Sequence, residues 1–195
     1  MKQVLYIDCC VRGEQSRTRQ LANAFLSALP STCSVTRLDL MAEDLQPLMP
    51  DVLAQRDALL AANETDHPRF RHAHQIAEAD AVVIAAPFWD LSFPSLLKIY
   101  IENVSVEGLT FRSTEHGLEG LCKGEDLVFL TTRGGIYSPG SELEQATPYL
   151  SALQKFFGFD RFHCISADGL DVFGFDGAGA LAQACAQAQA LAKTF

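Results

Sequence analysis

The stretch that most constrains the fold is residues 80–93, DAVVIAAPFWDLSF. Ala81, Val82, Val83, Ile84, Ala85 and Ala86 run unbroken into Pro87. So short an apolar run suits a strand covered on both faces, because neither side then meets water. Proline lacks the N–H that continues a ladder, so the strand is expected to stop at Pro87 and the chain to turn over its carboxyl end. In open parallel sheets that edge is where ligands bind. Phe88, Trp89, Asp90 and Leu91 are therefore the first candidates for a site, one suited to a flat aromatic ligand. The competing reading makes Phe88 and Trp89 ordinary core aromatics.

The rest of the chain supplies partners for that strand. Residues 4–7 form a first apolar run ending near Asp8, and Leu21, Ala22, Phe25, Leu26 and Leu29 then recur at helical spacing until Pro30. Residues 34–40 alternate as a second strand, whereas residues 41–66 are irregular, with helical character near 52–63. Residues 69–79 and 95–104 read as helices, and residues 107–123 as an excursion from the sheet. Residues 127–132 form a fourth strand, stopped by Arg133, Gly134 and Gly135. A helix beginning near Glu144 runs to 157, a fifth strand covers 161–166, and an alanine-rich helix covers 177–193. Strands alternating with helices predict an α/β three-layer sandwich around a five-stranded parallel sheet. A length of 195 residues fits one domain, 1–195, with a full core.

The net charge of −9 argues against nucleic acid or an anionic membrane surface as a partner. The first ten residues are interrupted by Asp8 too early for a signal peptide, and no stretch approaches a membrane span. The six cysteines (9, 10, 33, 122, 164 and 185) show no CxxC or zinc spacing, so reduced thiols in the cytoplasm are expected. His72 and His74 point to opposite sides of a helix, which argues against a metal site with His67.

Three strand ends carry glycine, polar or aromatic loops, and a sheet of order 2-1-3-4-5 brings them side by side. Ser16, Arg17 and Thr18 offer hydroxyls, a guanidinium and free amides where a helix dipole favours an anion. GxGxxG and GxxxxGK[ST] are both absent; a hydroxyl-rich phosphate loop without glycine spacing suits a monophosphate such as that of FMN, while plain helix capping would explain the same residues equally well. Thr132, Arg133, Gly134 and Gly135 would let backbone approach a ligand closely, or simply make a turn.

Several stretches together carry a family resemblance: Ser16-Arg17-Thr18, AAPFWDLSFPSLLKIYIE (85–102), GLTFRSTEHGLEG (108–120), TTRGGIYSPG (131–140) and Thr147-Pro148-Tyr149-Leu150. In these the chain resembles, over nearly its full length, the FMN-dependent NADH:quinone oxidoreductases, or NADH-azoreductases, of flavodoxin-like fold. The resemblance implies that Cys9, Ser16, Arg17 and Thr18 hold the phosphate and ribityl chain of FMN. It implies that Pro87, Phe88, Trp89, Asp90 and Leu91 line the flavin ring, flanked by Thr132, Arg133, Gly134 and Gly135. It further implies a cytoplasmic homodimer, with Ser113 and Phe156 closing the substrate pocket. NADH or NADPH would reduce the flavin, and a quinone, azo or nitro compound would then take two electrons. Cys9 stands where many members have serine, and a thiol is a weak donor. A flavodoxin-type electron carrier, an NADH:FMN reductase and a flavin-free adaptor are the rival readings.

Overall fold

The computed structural model describes residues 1–138 and 140–195; Pro139, within the TTRGGIYSPG stretch, lies outside them. Strand β1 (Lys2–Asp8) leads through a 3-10 turn (Gly13–Gln15) into α1 (Arg17–Ser27), and β2 (Cys33–Asp39) follows. Helices α2 (Pro50–Ala61) and α3 (Arg71–Glu78) precede β3 (Ala81–Ala85), and α4 (Ser95–Val104) leaves it. A hairpin, β4 (Phe111–Thr114) and β5 (Gly117–Gly120), comes next, then β6 (Asp126–Thr132), α5 (Ala146–Phe157), β7 (Arg161–Ala167) and α6 (Gly177–Ala192).

The main sheet is parallel throughout, in the order β2-β1-β3-β6-β7. Counted over its own five strands, that is the expected 2-1-3-4-5. Every residue of β3 and β6 is buried, which explains their apolar runs. One face is covered by Leu21, Ala22 and Phe25 of α1 and by Ala184, Ala188 and Ala192 of α6. The other is covered by α3, α4 and α5 through Ile76, Leu97, Tyr100, Leu150 and Phe157. Helix α2 has no buried residue, and its Leu59 and Leu60 lean on a separate cluster of Phe70, Ala73 and Val106. This weak amphipathicity is why residues 41–66 are hard to read in sequence.

The expected excursion is the β4–β5 hairpin, bound to the end of α5. A Cβ on Gly120 would come within 2.2 Å of the Gly158 nitrogen, so only glycine allows this contact. Because β2 and β3 lie on opposite sides of β1, the loops after β1 and β3 diverge and leave a crevice at the carboxyl edge.

Candidate functional site

That crevice holds a cleft of about 570 Å³, walled by the loops after β1, β3, β6 and β7. The first wall ends at Ser16, whose extended backbone stops the 3-10 turn and whose Oγ accepts from the Arg19 amide at 3.2 Å. A helix leaves its first amides without intrahelical partners, and Ser16 satisfies only that of Arg19. The amides of Arg17 and Thr18 are therefore left free to receive an anion, which the helix dipole also favours. Thr18 Oγ1 meets Thr132 Oγ1 at 2.6 Å, tying the start of α1 to the end of β6.

The second wall turns sharply. The Trp89 amide donates to the Ser92 carbonyl at 3.1 Å and the Ser92 amide donates back at 2.8 Å. Asp90 and Leu91 between them adopt φ of +48° and +65°, a strained conformation for non-glycine residues. The Gln145 amide steadies the turn by donating to the Leu91 carbonyl at 2.8 Å. Trp89 is 38 % and Leu91 43 % exposed, so both present apolar surface at the cleft rather than to the core. Phe88 packs on Tyr137, with ring centroids 4.9 Å apart.

The third and fourth walls are zipped together. Gly169, Leu170 and Asp171 donate their amides to the carbonyls of Gly135, Arg133 and Gly134 at 2.9, 3.1 and 3.0 Å. A Cβ on Gly134 would lie 2.5 Å from Asp171 Oδ2, so glycine lets the Asp171 carboxylate settle against the backbone.

The structure brings Ser16, Arg17, Thr18, Pro87, Phe88, Trp89, Asp90, Leu91, Thr132, Gly134 and Gly135 to this one cleft. Cys9 and Arg133 stand apart. Successive residues of an extended chain point to opposite faces, so Cys9 enters the core with Leu5 and Ile7, while Cys10 enters the other with Val4 and Tyr6. Burial pushes both thiols up to about 12, and they remain neutral. Arg133 turns beneath Phe88, its guanidinium carbon 5.6 Å from that ring, and reaches Thr147 at 2.9 Å and Asp168 at 3.3 Å. Ser113 and Phe156 do not line this cleft: Ser113 lies on β4, and Phe156 packs on Phe111 of that strand at 4.6 Å and borders a groove of about 420 Å³ with Lys98 and Tyr149.

Arg12, Gln15, Tyr137 and Asp171 line the cleft without having been singled out in sequence. Arg12 and Gln15 were signalled by their loop, and Tyr137 by following Gly135. Asp171 has no local signal; only the strand order shows that the loop after β7 reaches this edge.

Behind the first wall, Asp8 is fully buried and accepts from Arg37 at 2.6 Å, from Arg19 at 2.9 Å and from the Cys10 amide at 2.9 Å. Burial alone would raise its carboxyl, but these donors outweigh it and hold it below the ordinary carboxylate range. Arg19 continues to Glu14 at 3.0 Å, so the cluster supports the loop that precedes α1. His72 and His74 go to separate partners, Gln75 Oε1 and the Thr65 carbonyl. Among the described residues no group of three His, Cys, Asp or Glu could hold a metal, and no helix is long and apolar enough to cross a membrane.

Comparison with known proteins agrees with this architecture. The family described as having a flavodoxin-like fold matches residues 2–192. An FMN-dependent NADH:quinone oxidoreductase of Clostridium acetobutylicum is 37 % identical, and one of Coprothermobacter proteolyticus 34 %, each over the whole of both chains. The crystal structure of an azoreductase from Bacillus anthracis superposes with a TM-score of 0.89 at 26 % identity, again over the whole of both chains. Its fold, its cleft at the switch point and these full-length relatives together place the chain in the flavodoxin-like family of FMN-dependent NADH:quinone oxidoreductases.

Proposed function

We propose that the chain is an FMN-dependent NAD(P)H oxidoreductase that passes two electrons to quinones, azo compounds or nitroaromatics. The observation that carries this reading is the meeting of an anion-receptive helix start with an exposed aromatic wall in one cleft of about 570 Å³. That volume lies within the usual range of ligand pockets.

The residues present fit FMN. The amides of Arg17 and Thr18, with the guanidinium groups of Arg12 and Arg17, suit a phosphate; the hydroxyls of Thr18 and Thr132 suit a polyol chain. Trp89, Leu91 and Tyr137 suit a flat ring, while Gly134 and Gly135 let backbone come close to its edge. When bound, FMN supplies the two-electron exchange between nicotinamide and acceptor. The chain's own share is to fix the phosphate, orient the ring and exclude water with apolar side chains. Protons for the product come from solvent.

The reading includes a homodimer in the cytoplasm, each copy a single domain of residues 1–195. The apolar groove beside Phe156 supports a second copy seated there, with Ser113 and Phe156 closing the partner's pocket. Six free cysteines suit a reducing compartment.

A visible-spectrum titration with FMN, followed by NADH without air and then a quinone, tests the proposal. One FMN per chain, bleached by NADH and restored by quinone, is the expected result. A protein that refuses FMN overturns it. Bound flavin that NADH leaves yellow replaces it with an electron carrier. The contact between Arg17 and Asp171 favours one further reading, an NADH:FMN reductase that releases reduced flavin to a partner.

A further inference from the structure

The loop after β7 places a carboxylate at the anion-receptive corner of the cleft. Asp171 Oδ1 accepts from Arg17 Nη1 at 2.8 Å and Oδ2 accepts from Nη2 at 3.1 Å, while Nη1 also donates to the Leu170 carbonyl at 3.1 Å. Arg17 is the first residue of α1, the turn whose free amides attract an anion. A guanidinium engaged in this two-pronged way has fewer donors left for a second anion, and the carboxylate itself repels that anion. The hydrogen bonds from Arg17 hold the Asp171 carboxyl below its ordinary range, so the charge persists at neutral pH.

The carboxylate is not needed to hold the loop. Three backbone hydrogen bonds to Arg133, Gly134 and Gly135 already do so, and the Phe175 and Ile136 side chains pack against Gly169. Arg17 and Asp171 are 39 % and 65 % exposed, and exposed ion pairs add little stability. What remains is the effect of the charge on the corner. Arg12 and Arg17 are the cleft's cations, and Asp171 offsets one of them at the helix start while Asp90 lines the opposite wall, so little net positive charge is left to meet a phosphate that carries about −1.5 to −2.

We propose that Asp171 competes with the phosphate of the bound cofactor for Arg17, and so sets how readily that cofactor exchanges. The inference rests on the FMN reading above and concerns affinity, not the construction of the site.

The test compares the dissociation constants of FMN and riboflavin for the wild type, Asp171→Asn and Asp171→Glu. Asp171→Asn is expected to bind FMN roughly three- to tenfold more tightly at low salt, with riboflavin unchanged. Asp171→Glu keeps the wild-type value. The gain fades at about 1 M salt, where the screening length is about 3 Å. FMN binding that is unchanged or weaker in Asp171→Asn overturns the inference and leaves the FMN reading standing; so does an equal gain for riboflavin. If the wild type binds no FMN, the FMN reading fails. Inorganic phosphate, followed by ³¹P line broadening, is then the probe: Asp171→Asn must still bind it several-fold more tightly, or the inference falls as well.

Discussion

Asp8 and Asp126 occupy opposite ends of the sheet with similar company. Asp8, at the end of β1, is fully buried between Arg19 and Arg37. Asp126, at the start of β6, is 2 % exposed and meets Arg161 at 2.7 Å, His163 at 3.0 Å and Lys2 at 3.3 Å. The partners of Asp126 sit on β1 and β7, strands that the sheet already fixes. The partners of Asp8 continue through Arg19 to Glu14 in a loop held by little regular structure. The same chemistry therefore serves stability at one edge, and stability together with site geometry at the other.

The strongest test of that contrast is Asp8→Ala, which leaves the largely buried Arg19 facing a void while half-exposed Arg37 turns to solvent. It should cost about 3–5 kcal/mol of unfolding free energy in urea and also weaken FMN binding. Asp126→Asn should cost about 2 kcal/mol, because half-exposed Arg161 can turn to solvent, and should leave FMN affinity unchanged. Equal losses of FMN affinity in the two variants would erase the distinction between the edges.

Acid unfolding sharpens it. Burial raises the Asp126 carboxyl, yet hydrogen bonds from Arg161 and His163 bring it down to about 2 from an ordinary 3.8. A carboxyl lowered on folding stabilises above its unfolded value and loses that contribution as pH falls toward the folded one. Stability should therefore drop between about pH 4 and pH 2, by about 1 kcal/mol from this group after allowing for solvent screening. In Asp126→Asn this limb should flatten but not vanish, because Asp8 is lowered too. The smallest effect is expected at the cleft wall. Trp89→Ala should weaken FMN about fivefold by loss of ring contact. It should change stability by no more than about 0.5 kcal/mol, as suits a half-exposed side chain.

The sheet was legible because β3 and β6 are buried on both faces: β3 is apolar throughout, and the polar residues of β6 lie at its ends, leaving the run from Leu127 to Leu130 unbroken. Helix α5 starts at Ala146, two residues past Glu144, whose side chain accepts from the Thr147 amide at 3.0 Å. Three loops of the cleft could be read because each follows a recognisable strand. Which side chains in those loops face the cleft depends on alternation and on neighbours distant in sequence. Arg133 sits between Thr132 and Gly134 of the cleft yet points elsewhere, and Cys9 turns into the core, whereas Asp171 arrives from the loop after a strand far along the chain. Local pattern shows that a loop reaches the edge; long-range hydrogen bonding decides which of its atoms a ligand meets.

The adjacent thiols of Cys9 and Cys10, sealed on opposite faces of the sheet, have a practical consequence. An alkylating reagent can reach Cys9 only when the layer of α3, α4 and α5 lifts away, and Cys10 only when that of α1 and α6 does. Their separate labelling rates would time the opening of the two helical layers within one molecule, with no probe introduced.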